Sequence, residues 1–216
     1  MEKSTKDNNI ELGDEIKLGN HTLICADTTK FDFLEYFKDE QFHMLFTDPP
    51  YELDDHNWVS QFIQDEVECF IMHRDKAVVD IASSNRKYFR YFYIVELDPA
   101  WYIGNKTAFL GHTPIAYFRK GRTRFQNLHD RFKTLIPPSS VKSLGTHEKS
   151  VELAETFIKH FTLPGQNVID CFAGTGSTLI ACEKTERKAV LVEKDPVMCK
   201  YIIERYNDYT NQKKLL

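Results

Sequence analysis

The sequence predicts a single α/β domain over residues 1–216, built on a mostly parallel sheet with helices on both faces. Three observations lead there. Apolar runs of strand length alternate along the chain with stretches of helical periodicity, the pattern of crossover units. A chain of 216 residues with 42% hydrophobic content can bury one substantial core. The alternation is cleanest from residue 151 onward, where strands and helices follow one another with only short turns between them.

In order, the polar first ten residues read as a mobile tail. Residues 21–27 (HTLICAD) form a strand, residues 31–38 an amphipathic helix with Phe31, Leu34 and Phe37 at helical spacing, and residues 42–47 (FHMLFT) a second strand. Proline cannot donate to a ladder and restricts the residue before it, so Pro49 and Pro50 lie beyond this strand, in a loop at its carboxyl end. Residues 58–70 read as a helix on Trp58, Phe62, Val67 and Phe70, followed by strands at 77–82, 91–97 and 114–119. Residues 120–146 are irregular and charged, a long functional loop or small insertion. Val151–Phe161 is then a helix capped by Ser150, 168–172 (VIDCF) a strand, Ser177–Thr185 a helix, 189–193 (AVLVE) a strand, and 196–206 a helix opening on Pro196.

The net charge of −4 excludes a polybasic protein that holds nucleic acid by bulk charge alone. Its distribution is uneven. Residues 1–70 carry 17 acidic side chains against five basic, whereas residues 119–142 carry seven basic against one acidic. Arg119, Lys120, Arg122, Arg124, Arg131, Lys133 and Lys142, interleaved with Phe125 and Phe132, suit phosphate contacts and base stacking; the bland alternative is a solvated charged loop. Five cysteines without a C-x-x-C pair or a histidine at ligand spacing indicate neither a disulfide framework nor a metal site, which fits a reducing cytoplasm. No stretch reaches the roughly 18 apolar residues of a membrane span.

Residues 168–193 form a strand-loop-helix-strand unit with Asp170 near the end of its first strand and Glu193 closing its second. Between them runs Phe172-Ala173-Gly174-Thr175-Gly176-Ser177-Thr178. Glycines at 174 and 176 allow a tight turn and a ligand laid against bare main chain, and Glu193 stands where a carboxylate can accept both hydroxyls of a ribose. A dinucleotide fingerprint would want a small residue where Leu179 stands, and the Gly-Lys-Ser/Thr of a P-loop is absent. An acidic pair with a short glycine loop instead suits S-adenosylmethionine, whose cationic groups favour carboxylates and backbone acceptors. The alternative is a glycine turn that merely packs a helix onto a strand.

Asp48-Pro49-Pro50-Tyr51 follows its strand directly and so projects from the carboxyl edge of the sheet, where open α/β sheets bind ligands. The chemistry it fits is methylation of an exocyclic amino group on a nucleobase, whose lone pair is delocalised into the ring. Hydrogen bonds from that amine to the Asp48 carboxylate and the Pro49 carbonyl would restore lone-pair character on nitrogen. Pro50 makes the geometry rigid before substrate arrives, and Tyr51 offers a face on which a flipped base can stack. The alternative is a Pro-Pro turn ending a strand.

These residues resemble the amino-methyltransferases of DNA, the N6-adenine and N4-cytosine enzymes of bacteria and phages. LGNHTLICADTT resembles the stretch that opens many members, FTDPPY their catalytic motif, and VIDCFAGTGSTLIACEKTERKAVLVEKDP their cofactor motif. The catalytic motif precedes the cofactor motif, the permuted order of the class called beta. The resemblance implies a Rossmann-like methyltransferase fold with a seven-stranded, mostly parallel sheet and one antiparallel strand, met along the chain as strands three, four, five, six, seven, one, two. It also implies S-adenosylmethionine contacts for Asp27, Lys149, Asp170, Phe172, Ala173, Gly174, Thr175, Gly176, Thr178 and Glu193, with His147-Glu148-Lys149-Ser150 in place of the family's Gln-Lys-Pro element. Larger members insert a recognition domain where this chain has only residues 120–146, so the basic island is the expected target reader. So small a reader predicts a short recognition sequence, loose specificity, or help from a second copy or a specificity subunit.

The expected activity is methyl transfer from S-adenosylmethionine to adenine N6 in DNA, without a metal. Rivals are the cytosine N4 amine, RNA, and a non-catalytic nucleic-acid-binding module on a decayed methylase scaffold. His73, His112 and His129 have no nucleophile at a suggestive spacing and read as structural or surface residues; Cys171 reads as a buried filler, and Trp58 and Trp101 as core or groove residues.

Overall fold

A hairpin opens the sheet in the computed structural model, which describes residues 9–102, 109–121, 135–136 and 150–214. Glu15–Leu18 (β1) turns through Gly19, at a left-handed φ of 58°, into His21–Cys25 (β2). The Tyr206 hydroxyl lies 2.5 Å from where a Cβ on Gly19 would sit, so only glycine fits there. The further strands are Met44–Thr47 (β3), Glu68–Met72 (β4), Phe89–Tyr102 (β5), Phe109–Phe118 (β6), Leu135–Ile136 (β7), Asn167–Asp170 (β8) and Lys188–Glu193 (β9). Helices are Phe33–Tyr36 (α1), Asp75–Ser84 (α2), Val151–Phe161 (α3), Ser177–Thr185 (α4) and Pro196–Lys214 (α5), with a 3-10 turn over Asn57–Phe62.

Across the sheet the strands run β1-β2-β9-β8-β3-β4-β6-β5-β7. From β2 to β4 all neighbours are parallel, so Cys25, Glu193, Asp170, Thr47 and Met72 end on one carboxyl edge. Against the expectation of seven strands with one antiparallel, the described residues form nine with two antiparallel: β1 and β6 both run against their neighbours. The extra strands are the short edges β1 and β7. β7 lies inside the stretch expected to be a loop, with Ile136 buried beside β5. Ile10, expected in a mobile tail, packs against the core.

Two further expectations change for a shared reason. Residues 77–82 belong to helix α2, which buries Val78, Ile81 and Ala82 at i, i+3 and i+4 and leaves Val79 in solvent. Residues 58–70 are no continuous helix. The 3-10 turn stops at Phe62, Glu66 reverses the chain at a φ of 67°, and β4 enters the middle of the sheet with every residue buried. A strand buried on both faces carries no alternation to set it apart from a helix. The helix expected at 31–38 is one turn, capped by Asp32, whose carboxylate accepts the Glu35 N–H at 3.0 Å.

The sheet splits the core. Met44, Phe46, Phe70 and Met72 face α3 and α4, while Leu45, Cys69 and Ile71 face α2 and the 3-10 turn. On the first side Phe70 stacks on Tyr117, with centroids 4.8 Å apart and rings 6° from parallel, and meets Phe157 and Phe161 of α3 edge-on or tilted. The bounds of α3 and α4 match the sequence reading: the Ser150 hydroxyl accepts the Leu153 N–H, and α4 starts from left-handed Gly176. β5 and β6 stay paired as far as Tyr102 and Phe109, whereas β4 meets β6 only up to Ile115. A two-stranded ribbon therefore overhangs the carboxyl edge.

α4 ends on Glu186 in the left-handed conformation, at a φ of 61°, where glycine is the favoured residue. Glu186→Gly is expected to stabilise the fold by about 0.5–1 kcal/mol, read as a rise in the urea midpoint at unchanged slope.

Candidate active site

The glycine loop is held from three directions. Gly174 and Gly176 take left-handed φ values of 53° and 80°, and a Cβ on Gly176 would meet Ile202 of α5 at 3.1 Å. Space in front of Gly174 is open, its nearest neighbour being the Phe172 carbonyl at 4.0 Å. One oxygen of Glu193 accepts the Gly174 N–H at 2.9 Å and the other the Asp195 N–H at 3.0 Å. From α5, Arg205 Nη1 donates to the Thr175 carbonyl at 2.9 Å and to its hydroxyl at 3.1 Å. Such a loop presents bare backbone to a ligand without reorganising when one arrives.

Asp170 joins this loop to the strand that carries Asp48. Fully buried, it accepts the Thr47 hydroxyl at 2.7 Å and the Phe172 N–H at 3.2 Å on one oxygen, and the Thr178 hydroxyl at 2.7 Å on the other. The Thr28 hydroxyl donates to the Cys171 carbonyl, tying the loop after β2 to the same point. Next to Thr28, the Asp27 carboxylate accepts the N–H and hydroxyl of Thr29, and these bonds hold its pKa below the usual aspartate range. Asp27, Asp48, Asp170, Phe172–Gly176, Thr178 and Glu193 thus share one edge. Lys149 lies outside the described residues.

After half-buried Asp48 and buried Pro49, the chain turns through exposed Pro50 to Tyr51, whose ring is 48% exposed. Two neighbours crowd the ring. The Arg74 guanidinium lies 4.0 Å above its centroid, and the His73 ring stacks alongside at 5.8 Å and 21°. A base stacking on Tyr51 must share or displace these neighbours.

His73, Arg74 and Trp58 were not foreseen in this role. His73 is 1% exposed; its Nδ1 accepts the Arg74 N–H at 2.9 Å, so the proton of the neutral ring sits on Nε2. That N–H has no partner among the described residues. Burial, with His56 and Arg74 close by, pushes the His73 pKa down to about 4, which keeps the ring neutral. Trp58 Nε1–H is also buried without a partner among the described residues, and its ring meets the Phe172 ring edge-on at 5.1 Å, bridging the two motifs. The available signal was the register of β4: Thr47 pairs with Ile71, so the chain after β4 leaves the sheet at the same carboxyl edge as the Asp48 motif.

The basic island fares differently. β6 is antiparallel and pairs Phe118 with Cys69, so Arg119 and Lys120 stand at the amino edge of β4, about 15 Å along the strand from the motif edge. Lys120 is ion-paired with Asp65 at 3.1 Å, and the Arg119 guanidinium bonds to the Gly121 carbonyl at 3.2 Å. These two are not brought to the motif edge. Arg122, Arg124, Arg131, Lys133 and Lys142 lie outside the described residues. No helix among the described residues is long and apolar enough to cross a membrane.

Comparison with known proteins places this geometry in a class. M1.HpyAVI, solved in complex with SAM, matches with a TM-score of 0.67 at 20% identity, over 85% of this chain and 98% of its own. PvuII DNA methyltransferase, cytosine-N4-specific, matches at 0.66 and 16% identity, over 90% and 92%. TTHA0409 of Thermus thermophilus, a putative DNA modification methylase complexed with S-adenosyl-L-methionine, matches at 0.60 and 22%, over 86% and 93%. The fold is that of the DNA methyltransferases. Residues 119–204 further match the profile of the N6/N4 family described as DNA methylase. No curated protein sequence matches it.

Proposed function

We propose that this chain is an S-adenosylmethionine-dependent DNA methyltransferase acting on an exocyclic base amine, adenine N6. The observation that carries the reading is the Asp170 clasp, which fixes the Asp48-Pro49-Pro50-Tyr51 strand end and the glycine loop to one buried carboxylate. Donor and acceptor sites a few residues apart on one rigid edge are what direct group transfer requires.

The residues fit the cofactor. Gly174 leaves open space over bare backbone, and Glu193 and Asp27 supply carboxylates on the same edge. When bound, S-adenosylmethionine supplies an electrophilic methyl group on a sulfonium. Gly174, Gly176 and Phe172 would seat it, Glu193 would accept its ribose hydroxyls, and Asp170 and Thr178 would shape the loop. Asp48 and the Pro49 carbonyl accept the two amine hydrogens, leaving the nitrogen lone pair free to attack. The proton then lost from nitrogen passes to Asp48 or solvent. Tyr51 stacks the base on the face beside His73, and Arg74 is placed to meet a flanking phosphate.

The test is transfer of labelled methyl from S-adenosylmethionine to unmethylated DNA, followed by nucleoside digestion and mass spectrometry. N6-methyladenine is the expected product. N4-methylcytosine would keep the mechanism and change the base. Product on RNA alone would change the substrate, and no transfer together with no cofactor binding would favour a decayed scaffold.

A further inference from the structure

A cavity of about 750 Å³ opens beside Tyr51, between the 54–60 segment and α2, and His73 is the buried side chain at its wall. Its size lies within the roughly 300–1,000 Å³ of small-ligand sites. We propose that His73 reads the ring nitrogen next to the target amine, donating Nε2–H to it and so admitting only bases whose Watson–Crick edge sets an amine beside an unprotonated ring nitrogen. This rests on the amine-methylation reading.

Three observations converge on it. The Nε2–H is buried and unpartnered among the described residues, a state that costs free energy unless a ligand fills it. The His73 ring lies 21° from the plane of Tyr51 with its centroid 5.8 Å away, so a base sharing that face of Tyr51 would lie beside His73 in a nearly parallel plane, where an edge-to-edge bond can form. The β3–β4 register, in step as far as Thr47 and Ile71, sets His73 on the same carboxyl edge as Pro49, whose carbonyl is the proposed acceptor for the amine.

The chemistry then selects. In adenine, N1 adjoins the amine, and in cytosine N3 does; both accept a hydrogen bond. In guanine and thymine the corresponding ring nitrogen carries hydrogen and would oppose the His73 donor. With Nδ1 held by the Arg74 N–H, the ring cannot exchange its tautomer to accommodate them without losing that bond. Asp48 thus recognises the amine, and His73 recognises its neighbour.

The experiment is a cycle between protein and substrate. Wild type, His73→Ala and His73→Gln are assayed for kcat/KM on synthetic duplexes carrying the normal target base, or its deaza analogue with C–H in place of the ring nitrogen: 1-deazaadenine, or 3-deazacytosine if cytosine is the base methylated. Wild type should lose about tenfold or more on the deaza duplex. His73→Ala should lose a similar factor on the normal duplex and nothing further on the deaza duplex, while His73→Gln, which keeps an N–H donor, should retain part of the discrimination. Additive losses, or equal wild-type rates on both duplexes, would overturn the assignment. Should His73→Ala fail to fold, His73→Gln and the wild-type pair of duplexes still decide. A wild type that methylates no duplex would instead sink the amine reading.

Discussion

Replacing Asp48 with alanine is expected to slow methyl transfer by about 10²–10⁴-fold while leaving affinity for S-adenosylmethionine nearly unchanged. Asp48 sits on the strand end across the edge from the glycine loop, and the loop is held by Glu193, Asp170 and Arg205 rather than by Asp48. The loss therefore falls on activation of the amine: without the carboxylate, one amine hydrogen stays in the ring plane and the lone pair stays delocalised. Single-turnover kinetics beside calorimetric titration of cofactor separate the two quantities. A variant within about tenfold of the wild-type rate would assign amine activation to another group.

Asp170→Ala should act the other way, on structure first. It leaves the Thr47 and Thr178 hydroxyls and the Phe172 N–H facing an apolar void, three polar groups at a fully buried point. A cost of about 3–5 kcal/mol follows, a large share of the roughly 5–15 kcal/mol typical of a domain. Asp170→Asn keeps the shape and one acceptor oxygen, and the hydroxyls can rotate to suit it, so its loss should be smaller. Urea denaturation measures both variants. Cofactor affinity should fall with stability in Asp170→Ala, since the loop and the β3 end are released together.

What could be read from the sequence followed from local chemistry. Ser150 is a good cap and Gly176 a good left-handed start, so the bounds of α3 and α4 were legible to the residue. The Asp48 and Gly174 motifs were legible because proline and glycine restrict the backbone wherever they stand. Where a residue's meaning depends on its neighbours in the sheet, the reading failed. The central strand Glu68–Met72 looked like a helix, while Val78, Ile81 and Ala82 looked like a strand; the two errors offset each other, and the strands beyond the expected seven are the edges β1 and β7. Arg119 and Lys120 were counted as charge, but charge does not say at which end of a strand it lies. His73 read as a lone histidine, because its companions Tyr51 and Arg74 meet it through strand register and a loop.

The sheet joins its two halves at one seam, where β3 and β8 pair through Met44 with Val168 and Leu45 with Ile169. On the far side, Ile10 and Tyr209 pack against one apolar cluster, and the Tyr206 ring sits against His21. The chain thus forms a near-closed circuit, in which residues 121–150 are one junction and the approach of its outer ends is the other. Opened at the first junction and joined at the second, the same residues would build the same seam with the glycine loop read before Asp48. A chain split or rewired at these junctions is expected to keep the carboxyl edge that carries Asp48 and the glycine loop.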